Sequence, residues 1–336
     1  MQVYGIDLSM EKFDVSFIGI NGKAKSKQVN NSLAAISKFL MTLPDDCVLC
    51  AEHTGVYGEM LVFLCTMMNI RIALVPGYTI KHSFGMTKGK SDPIDSLRIR
   101  EYGERFADKL TFVTAESENI SELTQLYALR AQLVKERKGL QTSEKGHFHR
   151  PHQSIHVHRH IRTMLEVLDV EIKAIEQEIE IIIQSDDCIK ENYDLARSVK
   201  GVGPIIATDL LIKTGNFEQI DTARKASSYA GVCPFPQSSG KMVSKSKTSP
   251  FADKKLKSLL FMGAKSAVQH NKEYQLYFRK KMLEGKPYYV IMNNISNKLL
   301  RTIYSVVKNK TPYKQDYICL DPRTRKNKNS FSEKVA

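Results

Sequence analysis

The chain has 336 residues, with 50 Lys+Arg against 36 Asp+Glu and a formal net charge of +14; it exceeds the usual ~100–200-residue domain, which excludes a lone small binding module and predicts two domains. The charge is unevenly placed: residues 241–336 hold 22 Lys/Arg and 6 Asp/Glu, a net of +16, while residues 1–240 hold 28 against 30, and a surplus of that size points to phosphate or another anionic surface. With 42% apolar residues, a mean hydropathy of −0.31 and no uncharged apolar run near the ~18–20 residues of a bilayer span, a membrane protein is excluded.

No secretory signal is visible before the strand-like Val3–Asp7, so a cytoplasmic address is expected. Val3–Asp7 and Lys12–Ile20 read as two short strands around the turn Ser9-Met10-Glu11, and Gly22 opens a more polar third strand. Leu33–Leu43 has helical spacing and is stopped by Pro44-Asp45-Asp46 before the buried-type strand Cys47–Glu52. A helix from Tyr57 to about Met68 and a strand Arg71–Val75 complete a small mixed sheet with helices on its faces. Six scattered cysteines form no disulfide framework, and Cys47 and Cys50, both inside a strand-like run, read as core thiols.

From about Ser117 the pattern turns to long helices. Leu126, Leu133 and Leu140 recur every seven residues, and Leu165, Leu168, Ile172, Ile175, Ile179 and Ile182 form an a/d seam. That seam suits either packing on its own chain or a coiled coil between subunits. Between the helices six histidines fall within residues 147–160, with no Cys or carboxylate to fix a ligand set, so a solvated or phosphate-contacting turn is expected. Residues 196–212 read as helix, Gly turn, helix: Lys200, Gly201 and Gly203 precede Pro204, and a helix start of this kind presents backbone N–H groups to a DNA phosphate. A Ser/Gly/Lys-rich loop (238–250), a helix (Lys254–Val268), a basic amphipathic stretch (272–310) and a disordered tail are expected to follow. The predicted division is 1–112, an α/β domain; 113–195, a helical coiled-coil insertion; 196–320, a mainly helical domain; and 321–336, a basic tail.

Two constellations carry chemistry. Asp7 and Glu52 end two strands, and Asp92 and Asp95 stand one turn apart if a helix starts with Pro93 in its first turn. Four carboxylates converging on one sheet edge repel unless cations neutralise them; hard oxygen donors select Mg²⁺ or Mn²⁺, and two such ions can clamp the attacking and leaving oxygens of a phosphodiester. The second is the Ser238-Ser239-Gly240-Lys241 loop with Lys245 and Lys247 after it, where a serine hydroxyl could attack phosphorus beside cations. Lys254, Lys255 and Lys257 open the next helix as candidate phosphate contacts. No Gly-Lys phosphate loop or dinucleotide Gly motif is present, so ATP and NAD have no visible seat.

Gly5-Ile6-Asp7, Glu52-His53-Thr54-Gly55-Val56-Tyr57 and Lys90-Ser91-Asp92-Pro93-Ile94-Asp95 resemble the three N-terminal blocks of the DEDD transposases, insertion-sequence family number one hundred and ten. Ser198–Gly203, Ala230-Gly231, Pro234, Ser239-Gly240, Leu259–Ala264, Gly285-Lys286, Lys298–Leu300 and Pro312-Tyr313 resemble its C-terminal domain. The resemblance implies a RuvC-like, RNase H-type N-terminal domain in which Asp7, Glu52, Asp92 and Asp95 hold Mg²⁺. It implies that Ser239 forms a transient phosphoserine link to DNA. It further implies a bacterial recombinase acting on donor and target DNA under a bridge RNA, as a dimer that assembles to a tetramer with a composite site. The chain departs from the family at Ser249-Pro250 and Lys257, where relatives usually have Gly and Arg, and Ser238 stands next to the serine that matches. A metal-dependent nuclease or junction resolvase using water, and a non-catalytic nucleic-acid scaffold, are the alternatives.

Overall fold

The computed structural model describes residues 2–84, 92–239 and 242–315, with side chains described outside 236–247. The chain forms two compact units, Met1–Ser117 and Glu118–Ala336.

The first unit carries β1 (Gln2–Leu8), β2 (Lys12–Ile18), β3 (Ala24–Asn30), α1 (Leu33–Leu40), β4 (Cys47–Glu52), α2 (Glu59–Met67), β5 (Arg71–Val75), α3 (Gly77–Ser83), α4 (Asp92–Arg105) and β6 (Phe112–Val113). The sheet order is β3-β2-β1-β4-β5-β6, with β1, β4 and β5 parallel and β2, β3 and β6 antiparallel to their neighbours. The strand pattern predicted a small mixed sheet, and this one is the RuvC-like, RNase H-type sheet that the family resemblance implied. Strand alternation divides its side chains. Tyr4, Ile6, Leu8, Phe13, Val15, Leu49 and Ala51 pack with α1 and α2 on one face. Val3, Cys50 and Val75 meet Ile80 of α3 and Ile99 and Tyr102 of α4 on the other. Cys50 is fully buried and burial pushes its thiol up to about 12, which suits an inert core thiol. Helix α3 and strand β6 were not legible in the sequence, being short and dependent on their neighbours.

The second unit carries α5 (Glu118–His147), α6 (Ile155–Ser185), α7 (Asp187–Ser198), α8 (Pro204–Thr214), α9 (Ala223–Tyr229), β7 (Phe235–Ser239), β8 (Met242–Lys247), α10 (Lys254–His270), α11 (Lys272–Leu283) and α12 (Tyr288–Asn309). Helices α5 and α6 form an antiparallel hairpin: Arg130 meets Glu176 (2.7 Å), Arg137 meets Asp169 (2.5 Å) and Glu144 meets Arg162 (3.6 Å), a constant register along its length. The chain's own α5 therefore packs along the apolar seam of α6, the first of the two arrangements that the seam suits, while Val167, Val170 and Ile181 of α6 stay exposed. Ile175, Ile179 and Ile183 are buried in one core with Ile120, Leu123 and Tyr127. The buried row ends on Ile183 rather than Ile182, as a straight helix drifts from a strict heptad. Ile175→Ala is expected to destabilise this unit by about 2–4 kcal/mol through the cavity it leaves. Denaturant unfolding measures that loss, and light scattering should show the particle mass unchanged.

A correction concerns the stretch expected as a loop at 238–250: β7 and β8 form an antiparallel hairpin with Ser239 opposite Met242. Main-chain pairing across a short connection requires no apolar alternation, so composition hid it. The basic stretch 272–310 resolves into α11 and α12, broken at Gly285 (φ +72°) and Pro287, the N-cap of α12. Among the described residues, no helix is long and apolar enough to cross a membrane.

Candidate active site

Asp7 stands one residue before the end of β1 and Glu52 ends β4, each one step beyond the paired Ile6 and Ala51 of these adjacent parallel strands. Parity puts both on the α4 face, since Val3 and Cys50 point there. Asp14 lies directly opposite Asp7 in the β1–β2 register, is buried, and accepts a hydrogen bond from Gln28 at 3.4 Å. The sequence reading missed Asp14; counting parity through the Ser9-Met10-Glu11 turn would have found it. Asp92 and Asp95 occupy the first turn of α4 as expected, Asp92 exposed and Asp95 half-buried.

Two glycines bring α4 down onto the strands. A Cβ at Gly5 of β1 would stand 2.2 Å from the backbone nitrogen of Arg100 and 2.3 Å from the carbonyl oxygen of Ser96. One at Gly103 of α4 would stand 2.8 Å from Val3 Cγ1 and 3.0 Å from Cys50 Cβ. Gly77 at the start of α3 does the same for Glu52, whose Oε1 lies 2.0 Å from where a Cβ would sit. The buried Arg100 of α4 reaches Ser16 (3.4 Å) and pairs with Glu104 (2.5 Å).

The result is a pocket of negative charge. Asp7 is pushed up to about 6, first by burial and then by Glu52, Asp95, Asp92 and Asp14. Arg98 pairs with Asp95 at 3.0 Å and neutralises part of the field. Among the described residues, no three donor side chains are gathered tightly enough to hold an ion as they stand. The set nevertheless fits a hard divalent cation: every candidate donor is a carboxylate oxygen, and Asp7 already bears the cost of uncompensated neighbours.

In the second unit, Ser238 and Ser239 end β7, and Lys245 and Lys247 lie in β8; Gly240 and Lys241 fall outside the described residues. Both feet of the hairpin are anchored. On the entering side, Asn293 and Asn297 of α12 donate to the Val232 carbonyl at 2.9 and 3.2 Å. On the returning side, Asp253 caps α10 by accepting from the Leu256 amide (2.8 Å), and it also accepts from Lys213 (3.1 Å) and Tyr229 (3.3 Å). Burial opposes ionisation of Asp253, yet these partners hold it below its ordinary value. Sequence reasoning missed these anchors because their partners lie far apart along the chain.

The candidate phosphate contacts divide. Lys200 and Lys254 are exposed. Gly203 caps α8 with open space around it, whereas Gly201 (φ +99°) is packed against α10, a Cβ there falling 2.5 Å from the Gly263 carbonyl oxygen. Lys255 is exposed as well but stands 3.9 Å from the Tyr127 ring centroid and 3.7 Å from the wholly buried Asp209; Lys257 donates to Thr248 at 3.4 Å. In the bend between α5 and α6, His158 contacts Glu144 and Phe148.

A family model for DEDD-type transposases matches residues 4–149, and one described as the transposase IS116/IS110/IS902 family matches residues 193–279. The pilin gene-inverting protein of Moraxella bovis is 25% identical over 323 residues, covering 92% of this chain and 96% of its own. A probable family 20 transposase of Pseudomonas aeruginosa is 24% identical over 159 residues, 46% of each chain. A 44.8 kDa protein of insertion element IS116 from Streptomyces clavuligerus is 23% identical over 146 residues, 44% of this chain and 36% of its own.

Proposed function

We propose, from the premise that the chain belongs to the DEDD transposases of the IS110 family and is a DNA recombinase, that it cuts and rejoins DNA with the acidic cluster and Ser239. The observation that carries this reading is the convergence on Asp7 of Glu52, Asp92 and Asp95 from two strand ends and one helix start.

Asp7, Glu52, Asp92 and Asp95 would hold Mg²⁺, or Mn²⁺ in its place. When bound, the ion supplies positive charge against the phosphate oxygens on which negative charge grows during displacement. The chain's own contribution begins with position: α4, seated through Gly5 and Gly103, fixes two carboxylates against the sheet. Ser239 then gives up its hydroxyl proton and forms a bond from its oxygen to phosphorus while the bond from phosphorus to a deoxyribose oxygen breaks, and that leaving oxygen takes up one proton, so that none is gained or lost overall. The serine ester keeps the energy of the broken phosphodiester, so a second sugar hydroxyl reverses the exchange without ATP. A relative named for inverting a pilin gene accords with such cutting and rejoining. Residues 196–320 are the proposed serine-bearing domain. The family likeness is the support for a bridge RNA that pairs with donor and target DNA, and for a dimer assembling to a tetramer; the net charge of +16 over residues 241–336 suits both nucleic acids.

Cleavage of labelled DNA with guide RNA supplied, resolved on a denaturing gel, tests the serine. Wild type should give a denaturant-resistant protein–DNA adduct, and Ser239→Ala should give neither adduct nor cleavage while still binding DNA. Undiminished cleavage by Ser239→Ala with no wild-type adduct would assign the reaction to water and make the protein a nuclease. An adduct lost only in Ser238→Ala would move the nucleophile by one residue.

A further inference from the structure

Helices α10, α11 and α12 present a surface that the hairpin anchors do not use. Phe261 of α10, Phe278 of α11 and Tyr288 and Tyr289 of α12 form one cluster of rings. Tyr288 meets Phe261, Phe278 and Tyr289 edge to face at 6.4, 6.0 and 5.4 Å, and Tyr289 lies nearly parallel to Phe261 at 6.1 Å and 24°. Tyr289 is nonetheless 75% exposed. All of residues 282–290, the turn that delivers these tyrosines, are exposed, and Leu283 and Val290 stand open beside them.

The surroundings are basic. Residues 254–290 contain nine Lys/Arg and two Glu, and one of those glutamates, Glu284, is taken by Lys281 at 2.6 Å. Lys265 stands 5.5 Å from the Phe261 ring centroid, and Arg279 and Lys286 are exposed nearby in sequence. Interfaces between protein copies deplete lysine from their apolar centres. Exposed aromatic rings set among cations are instead the composition of surfaces on which unpaired bases stack while the backbone meets positive charge. A paired duplex keeps its base faces covered and cannot use such a ring.

Resting on the reading of the chain as a DNA recombinase, we propose that the Phe261–Phe278–Tyr288–Tyr289 cluster is a stacking platform for single-stranded DNA. An unpaired base lies on the open part of Tyr289, and Lys265 and Lys286 meet the flanking phosphates. A recombinase that opens a duplex exposes such bases, and the platform holds one of them out of the helix.

The test is fluorescence anisotropy of the full-length protein, in EDTA to prevent cleavage, with a short labelled oligothymidine and a duplex of equal length. Tyr289→Ala should weaken oligothymidine binding about tenfold, one base's worth of stacking, and leave duplex binding within about twofold of wild type. Tyr289→Phe, which keeps the ring, should bind as wild type. No loss in Tyr289→Ala, or an equal loss on duplex, overturns the platform. A fall in particle mass for Tyr289→Ala in light scattering would give the surface to a second copy, and a loss on oligouridine, titrated as a third probe, with none on oligothymidine would give it to RNA; either overturns the DNA assignment. Wild type that binds neither form of DNA, with guide RNA supplied as well as without it, would sink the recombinase reading as well, whereas wild type that binds both with no Tyr289 effect sinks the platform alone.

Discussion

Gly5→Ala is expected to destabilise the N-terminal unit by about 3 kcal/mol and to lower DNA cleavage by about a hundredfold at temperatures where the protein is still folded. The added Cβ would stand 2.2 Å from one backbone atom of α4 and 2.3 Å from another, and neither can turn aside as the end of a side chain would. The helix must lift by about an ångström to reach ordinary contact distance, and its first turn carries Asp92 and Asp95 with it. Displacements of that order disable sites that depend on alignment. The comparison is Gly139→Ala, a helical glycine with nothing within 4 Å of its added Cβ, which should gain up to about 1 kcal/mol. Denaturant unfolding and cleavage assays on both variants decide the matter. Gly5→Ala that cleaves at the wild-type rate would show that α4 need not sit so close.

Asp7→Asn should abolish cleavage and, in the absence of divalent ions, make the protein more stable. Asp7 in the folded state titrates at about 6, against an ordinary value of 3.8. Between those values the folded protein holds more protons than the unfolded chain, so stability falls as pH rises through that window, and the penalty is complete at pH 7. Asparagine never ionises and escapes it. With allowance for solvent at a partly exposed group, the gain at neutral pH is about 1 kcal/mol, a shift of a few degrees in Tm. Melting curves in EDTA should separate variant from wild type above pH 6 and bring them together below pH 4. Added magnesium should raise the wild type alone. A variant less stable than wild type in EDTA at neutral pH would mean that the carboxylate is held by attraction and that the cluster is not a cation site.

What the sequence made legible is what depends on neighbours in the chain. Asp7 and Glu52 stood out because each closes an apolar run, and Asp92 and Asp95 because they bracket Pro93 at helical spacing. Contacts between distant segments were hidden. Asp14 joins the cluster only through the strand register, and Gly5 looked like one glycine among 18 until Arg100 and Ser96 were found against it. The seam from Leu165 to Ile182 announced a partner without saying which, because leucine and isoleucine at a and d positions pack as well on the same chain as on another; the ion pairs of Arg130 and Arg137 make α5 of the same chain one such partner. Hairpin β7–β8 is hidden in a loop-like composition because its strands are paired by main-chain groups, which leave little mark on composition.

The six strands of the sheet and α4 all come from the first 117 residues, and this orders events during synthesis. Domains fold as units as they emerge, N-terminal first, and at ~5–20 residues per second the remaining 219 residues occupy the ribosome for about 10–40 s more. The carboxylates are gathered in that interval, while the segment that holds the whole positive surplus, residues 241–336, is made last. A growing chain therefore assembles its acidic cluster before it gains its attraction for DNA. A chain truncated before residue 241 would carry the carboxylates on a nearly neutral fragment, without the positive charge that draws phosphates to them.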